Sequence, residues 1–365
     1  MKLVDITPYF HAKSGGIKRY LLEKSKYLAN TKIKHVLIIP GKKNAIFYYE
    51  KTKIYALKSI PLPLSGGYRF FLRLKDIKNI LELEKPQIVE LGGTYLPIPY
   101  LKTSQYKLIV FYHSDVNAEL SLFPFPPWIK ERFAKFVFTN YLIHADLILT
   151  PSSKQKIFLK KHSLENIKTV NLGINEKVFN FSKAKEKVNK DKESNGRAKV
   201  LYVGRLSPEK NINLLIKLIK FSDSELFHFI IAGDGPMKDK ILKLSKKISN
   251  ITYLDYIKED TRLANLYRSS DIFVSPSTSE TYGLTFLEAQ ACGCPLVAFD
   301  LNLETQPFKE FLVKEKTEEA FYDALIRAKN KVSIKLREEI SSYILKTFSW
   351  NKTFENLLKI YSDLV

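Results

Sequence analysis

A chain of 365 residues has room for two domains of ordinary size. Hydrophobic residues make up 45% of it, which excludes a disordered chain, and no run of about 18 uncharged apolar residues offers a membrane-spanning helix. The formal net charge is +21 and is lopsided: residues 1–170 carry 28 Lys and Arg against 12 Asp and Glu, whereas the remainder carry 31 against 26.

A basic half of this kind suits nucleic acid, an anionic membrane face, or merely a lysine-rich proteome. The start of the chain, Met1-Lys2-Leu3-Val4-Asp5-Ile6, lacks the basic-then-apolar pattern of a secretory signal. Cys292 and Cys294 are two apart, which fits neither a disulfide framework nor a zinc knuckle. Both features point to a reducing cytoplasm, with the cysteines as small, semi-buried side chains.

Residues 3–6 read as a strand, followed by Ser14-Gly15-Gly16 and an amphipathic helix over 17–28. Residues 35–39 form a β-rich run closed by Pro40-Gly41. A helical pattern covers 68–83, strands are expected at 87–90 and 107–112, a helix closes over 141–145, and a strand follows at 146–150. Residues 182–199 are charged and aperiodic, as a linker is. Beyond them the alternation restarts, with strands at 200–203, 227–232, 251–254, 272–276 and 296–299 and helices at 213–219, 239–248, 261–268 and 284–292. Alternation of this kind implies two successive α/β units with parallel sheets. The expected division is 1–180, a linker at 181–199, 200–345, and a C-terminal helix at 346–365 that returns to the first domain.

Open parallel sheets bind ligands at the carboxyl ends of their strands, so the loops there are the places to look for chemistry. Four stand out. Gly15-Gly16 precedes a helix, where a phosphate can approach the backbone, although a glycine pair also serves as a plain tight turn and the full GxGxxG spacing is missing. Gly204-Arg205-Leu206-Ser207-Pro208-Glu209-Lys210 sets two cations in one loop, a phosphate grip or a solvated basic loop. In Glu280-Thr281-Tyr282-Gly283-Leu284-Thr285-Phe286-Leu287-Glu288 two carboxylates flank a helix start. One suits a sugar hydroxyl, the other a ribose, and the N–H groups of Gly283, Leu284 and Thr285 suit a diphosphate between them; two surface glutamates are the plain alternative. His113, in Phe111-Tyr112-His113-Ser114-Asp115, ends a strand and is either structural or catalytic.

Gly204-Arg205-Leu206 with Lys210, Ala232-Gly233-Asp234-Gly235-Pro236, Glu280 and Glu288 eight apart, Gly293-Cys294-Pro295 and Ser349-Trp350, in that order, resemble glycosyltransferase family 4. Gly15-Gly16, Gly66-Gly67-Tyr68-Arg69 and His113-Ser114-Asp115 are similar to members that build glycolipids or polysaccharides. The resemblance implies a GT-B fold, two Rossmann-like domains facing an interdomain cleft, and retaining transfer of a hexose from UDP-hexose or GDP-mannose to a glycolipid, lipid-linked or polysaccharide acceptor. It implies that Arg205 and Lys210 neutralise the donor diphosphate and that Glu280 bonds sugar hydroxyls. Gly283, Leu284 and Thr285 would hold phosphate and sugar, with Gly204, Gly235 and Tyr282 around them. Glu288 would take the ribose, Ile257 lie beside the base, His113 stand near the transferred sugar, and Gly15 and Gly16 close on the diphosphate.

No Asp-x-Asp stands where a metal clamp would be, so no cofactor and no essential metal are expected. The basic half, with residues 68–75 on the expected helix and an expected proline-stiffened loop at 122–130, suggests peripheral attachment to the inner face of the cell membrane. Nucleic-acid binding is the rival reading of the charge, but no module for it appears and it leaves the two glutamates unexplained. The segment after Asp300 departs from the family by running straight through Leu301-Asn302-Leu303-Glu304-Thr305 without a Gly-Gly turn. That departure is the one feature that suits an inactive scaffold subunit.

Overall fold

The computed structural model describes residues 1–11, 15–61, 69–93, 98–113, 116, 126–182 and 196–365. It divides into two compact units, Met1–Leu172 with Trp350–Val365, and Gly173–Ser349.

In the first unit, strands β1 (Lys2–Ile6), β2 (Lys34–Gly41), β3 (Ala45–Tyr49), β4 (Thr52–Pro61), β5 (Arg69–Phe71), β6 (Ile88–Gly92), β7 (Lys107–Phe111), β8 (Leu147–Thr150) and β9 (Ile167–Thr169) form one sheet. Its order is β3-β4-β2-β1-β6-β7-β8-β9, with β5 beside β4. Pairing is parallel from β4 to β9, while β3 and β5 run antiparallel to β4. The central strands are apolar on both faces, as covered parallel strands are: Leu3, Val4, Ile6, Ile88, Val89, Leu108 and Ile109 are fully buried. The covering helices are α1 (Gly16–Leu28), α2 (Leu74–Glu84), α3 (Ile98–Leu101), α4 (Pro127–Asn140) and α5 (Ser153–Lys160).

The second unit has an all-parallel sheet in the order β12-β11-β10-β13-β14, from β10 (Ala198–Val203), β11 (Phe227–Ala232), β12 (Ile251–Leu254), β13 (Ile272–Ser275) and β14 (Leu296–Ala298). Its helices are α6 (Ile212–Phe221), α7 (Lys238–Ser245), α8 (Asp260–Arg268), α9 (Leu284–Ala291), α10 (Glu318–Lys331) and α11 (Ile334–Thr347). Thr317 and Ser333 start the last two by accepting the amides of Ala320 and Leu336 on their hydroxyls. The final helix, α12 (Trp350–Ser362), belongs to the first unit.

Three expectations are corrected. Residues 68–75 do not form one helix: Arg69–Phe71 is strand β5, its Arg69 guanidinium bonded to Ser59, and α2 begins only at Leu74. Tyr68 lies outside the described residues, as do Ser14, Ser114, Asp115 and residues 122–125. Within 122–130, Pro127 to Lys130 are the first turn of α4 and not a loop. Finally, residues 173–180 go with the second unit and not the first, as do 181 and 182 of the expected linker. Arg268 explains this, since its guanidinium donates to the carbonyls of Val178 and Asn180, and Phe179 and Phe181 are 1% exposed. Residues 183–195 of the expected linker lie outside the described residues.

Candidate active site

In the second sheet β10 lies between β11 and β13, so the connections diverge between β10 and β13. That divergence is where open parallel sheets take ligands. The loop after β10 runs through Gly204 and Arg205 into a 3-10 turn, Pro208–Lys210, and the loop after β13 runs through Glu280 to Gly283. Across the divergence Lys210 Nζ lies 2.5 Å from Glu280 Oε1. Seventy residues apart in sequence, these two candidates meet.

Arg205, half exposed, lies beside Glu209, at 3.9 Å from Nη1 to Oε1. The Ser207 hydroxyl donates to the same Glu209 oxygen at 2.6 Å, and the Tyr202 hydroxyl donates to the Arg205 carbonyl at 3.0 Å. Burial, then the Glu280 and Glu209 carboxylates, push the Tyr202 hydroxyl well above its ordinary pKa, so it stays a neutral donor.

The glycine motif after β11 has a steric cause. A Cβ on Gly233 would stand 1.9 Å from the Gly204 carbonyl oxygen, and one on Gly235 would stand 2.4 Å from that of Leu206. The two loops therefore touch backbone to backbone, tied by Leu206 N to Asp234 O at 2.9 Å and Met237 N to Leu206 O at 2.8 Å. Gly235 thus shapes the Arg205 loop. Ile257 stands half-buried in the loop after β12.

Gly283 is the N-cap of α9 and takes φ +83°, the left-handed region, with Cβ space closed by the Phe286 ring at 2.8 Å. Leu284 and Thr285 form the first turn that follows, whose amides have no carbonyl in their own helix to bond, so the end is electropositive. Tyr282 is 2% exposed, and its carbonyl accepts the Thr305 hydroxyl at 2.6 Å. Glu288 lies in the second turn of α9, 4% exposed, with the Tyr267 hydroxyl donating to its Oε2 at 3.1 Å.

The segment after Asp300 is firmly held. The Gln290 amide donates to the Thr305 carbonyl at 2.8 Å, and Gln306 bonds both Leu301 N and Phe299 O. Tyr267, Gln290 and Thr305 thus brace α9, and sequence reasoning missed all three. Cys292 and Cys294 are fully buried free thiols. Burial pushes the Cys294 thiol up to about 12, and its Sγ donates to the Tyr267 carbonyl at 2.9 Å.

In the first unit β1 is the diverging strand, between β2 and β6. Gly15 caps the helix that follows it, with open space where a Cβ would stand, and Gly16 begins that helix.

His113 follows β7, 8% exposed, stacked on Phe111 at 4.0 Å and tilted against Tyr20 at 5.4 Å. Its ring nitrogens form no hydrogen bond among the described residues. Burial first, then the Lys24 charge, lowers its pKa to about 3, so it is a neutral imidazole at physiological pH.

Behind it lies a buried ionic cluster that the sequence reading missed. Lys24 Nζ contacts Asp5 at 2.8 Å, Glu90 at 3.1 Å and the Tyr361 hydroxyl at 2.8 Å. Tyr20 and Tyr361 donate to Glu90, and His35 Nε2 reaches Asp5 at 2.8 Å. Burial favours a protonated Asp5, yet Lys24 and His35 hold its carboxyl below the ordinary value, whereas burial raises that of Glu90. The only sequence signal was a charge inside each of two apolar strands.

Among the described residues no group of three or more His, Cys, Asp or Glu is arranged to hold a metal ion. No described helix is long and apolar enough to cross a membrane.

Comparison with known proteins follows the same division. The family model "Glycosyltransferase Family 4" matches residues 14–178 and "Glycosyl transferases group 1" matches 183–347. The sulfoquinovosyl transferase SQD2 of Arabidopsis thaliana is 28% identical over 69% of this chain, which spans 47% of that protein. A GDP-mannose-dependent alpha-(1-6)-phosphatidylinositol dimannoside mannosyltransferase of Mycobacterium tuberculosis is 22% identical over 81% of this chain and 79% of its own. Among solved structures, sucrose-phosphate synthase from Thermosynechococcus elongatus superposes with a TM-score of 0.80 at 16% identity, over 100% of this chain and 98% of its own. The two family models take nearly the whole chain between them, and the fold agrees: the chain belongs to glycosyltransferase family 4, with the GT-B fold.

Proposed function

We propose that the protein is a retaining, metal-independent hexosyltransferase. It takes a sugar from a nucleotide diphosphate donor, UDP-hexose or GDP-mannose, and passes it to a glycolipid, lipid-linked or polysaccharide acceptor. The observation that carries this reading is the meeting of Lys210 and Glu280 at the β10/β13 divergence, beside the loop that leads to the N-terminus of α9. As the bond from the sugar's anomeric carbon to oxygen breaks, negative charge grows on the departing diphosphate. Lys210, Arg205 and the first-turn amides of α9 are groups that stabilise such charge without reorganising. Glu280 accepts from sugar hydroxyls, and Glu288, held by Tyr267, accepts from the ribose.

His113, Gly15 and Gly16 of the first unit take the roles toward sugar and diphosphate that the family resemblance implies, and Ile257 the place beside the base. The neutral state of His113 suits hydrogen bonding to sugar and not charge pairing. The acceptor class is supported by the relatives' names, which include an alpha-monoglucosyldiacylglycerol synthase from Streptococcus pneumoniae, 25% identical over 75% of this chain. The test is incubation with UDP-glucose or GDP-mannose and a lipid acceptor, without divalent metal. Nucleotide release coupled to acceptor glycosylation, with the donor's anomeric configuration kept, is the expected result. Transfer that needs a divalent ion, or inverts that configuration, removes the mechanism.

A further inference from the structure

We propose that Thr305 is a positioning residue for the donor diphosphate. Its hydroxyl sets the plane of the Tyr282–Gly283 peptide and so aims the Gly283 N–H at the ligand that the first-turn amides of α9 receive. The proposal rests on the nucleotide-donor reading of this site.

The segment after Asp300 departs from the family by lacking a Gly-Gly turn, and other residues make its course compact. Asn302 takes φ +54°, a left-handed turn that asparagine tolerates better than most side chains, and its amide donates to the Asp300 carboxylate at 3.1 Å. The Gln306 side chain donates to the Phe299 carbonyl at 2.6 Å and accepts from Leu301 N at 2.9 Å. The Asp300 amide donates to the Val313 carbonyl at 2.9 Å. Thr305, fully buried, is thereby fixed, and its carbonyl accepts the Gln290 amide of α9 at 2.8 Å.

The Thr305 hydroxyl donates to the Tyr282 carbonyl at 2.6 Å, at the short end for such a bond. The described peptide bonds are trans, and a trans peptide carries its C=O and its N–H on opposite sides. With the Tyr282 carbonyl drawn toward buried Thr305, the Gly283 N–H of the same plane points away from that core. Among the described residues nothing accepts the N–H groups of Gly283, Leu284 or Thr285. Three successive free donors at a helix start suit an anion. Without the Thr305 bond this peptide is free to turn over, and glycine on its far side offers little resistance. A carbonyl oxygen would then face the diphosphate where a donor had stood.

Thr305→Val keeps the shape and removes the donor, whereas Thr305→Ser keeps the donor. Calorimetric titration of the full chain with UDP and GDP, and with uridine and guanosine, reads the effect. For the base that binds, Thr305→Val should weaken the nucleoside diphosphate about tenfold or more, the size of one hydrogen bond to a charged group. The bare nucleoside should be little affected, and Thr305→Ser should recover most of the loss. A second measurement needs no variant. Tyr-Gly occurs once in the sequence, at Tyr282-Gly283, so carbonyl-labelled tyrosine with nitrogen-labelled glycine reports this one amide by NMR. Its signal should move when UDP or GDP binds.

Unchanged diphosphate affinity in Thr305→Val, beside a wild type that binds, would overturn this inference alone. So would equal weakening of nucleoside and nucleoside diphosphate, which marks a merely structural role. A Gly283 amide that stays in place while nucleotide binds would overturn it even where Thr305→Val does not fold. A wild type that binds no nucleotide would remove the donor reading and this inference with it.

Discussion

Lys210 and Glu280 form an ion pair of 2.5 Å between the loops that follow β10 and β13, the two strands at which the second sheet changes direction. Their side chains are 27% and 14% exposed, so neither is a core residue. Lys210→Ala and Glu280→Ala should each lower turnover about 10²–10³-fold. Stability should change by about 1 kcal/mol or less, because a partly exposed pair contributes little. Steady-state kinetics beside thermal unfolding reads both. Wild-type turnover in either folded variant would remove these residues from the chemistry.

Gly283→Ala tests the start of α9. The backbone there is left-handed and the Phe286 ring already fills the Cβ position. The substitution should destabilise the second unit by about 1–2 kcal/mol and weaken donor binding, read by denaturant unfolding and by nucleotide titration. An unchanged unfolding midpoint would show that α9 does not need this cap.

His113 gives a pH signature. Its folded pKa of about 3 lies below the unfolded value, so the unfolded chain binds the proton first. Above about pH 6.5 both states are neutral and the residue adds no pH dependence. As pH falls below that value, the unfolded state gains a proton that the folded state refuses, and stability drops by up to about 1.4 kcal/mol per pH unit. His113→Asn should flatten this slope. Turnover should show no limb near pH 6.5 from this imidazole. An NMR titration that places the His113 midpoint near 6.5 would contradict the burial argument.

Lys24 compensates two buried carboxylates and bonds Tyr361 of the last helix. Lys24→Met should cost about 3–5 kcal/mol, since it leaves Asp5 and Glu90 without their cation. Tyr361→Phe, which removes one donor, should cost about 1–3 kcal/mol. Hydrogen exchange along α12 should rise in both, and more in the first. Equal protection in all three proteins would mean that α12 is held by its apolar face alone.

The reach of the sequence followed the range of the interactions. The loops after β10, β11 and β13 were legible because apolar strand, glycine, charge and helix start follow one another within a dozen residues. The α/β architecture was legible for the same reason. The Lys24 cluster was not, because its partners stand 19, 66 and 337 residues away, and a charge inside an apolar strand does not say what it pairs with. Residues 69–71 read as helix because Arg69-Phe70-Phe71-Leu72 has no clean two-residue alternation. Their strand state comes from pairing with Ser59–Pro61 on β4, a tertiary choice. Strand β3 went unread, although Ile46, Phe47 and Tyr48 lie there, because it keeps these side chains exposed and so shows no buried face. Thr305 and Gln290 carry no motif, and only their bonds to Tyr282 and to each other reveal them as braces of α9.

The most direct measurement is the thermal midpoint of the protein with UDP, GDP and their hexose conjugates, in EDTA. At a nucleotide concentration about 100 times its dissociation constant, linkage adds about 2.7 kcal/mol, enough to move the midpoint by degrees. A metal-independent nucleotide site at Lys210 gives a rise with one of the two nucleotide classes that persists in EDTA and is lost in Lys210→Ala. No rise with any nucleotide, a rise that EDTA abolishes, or a full rise in Lys210→Ala would contradict it.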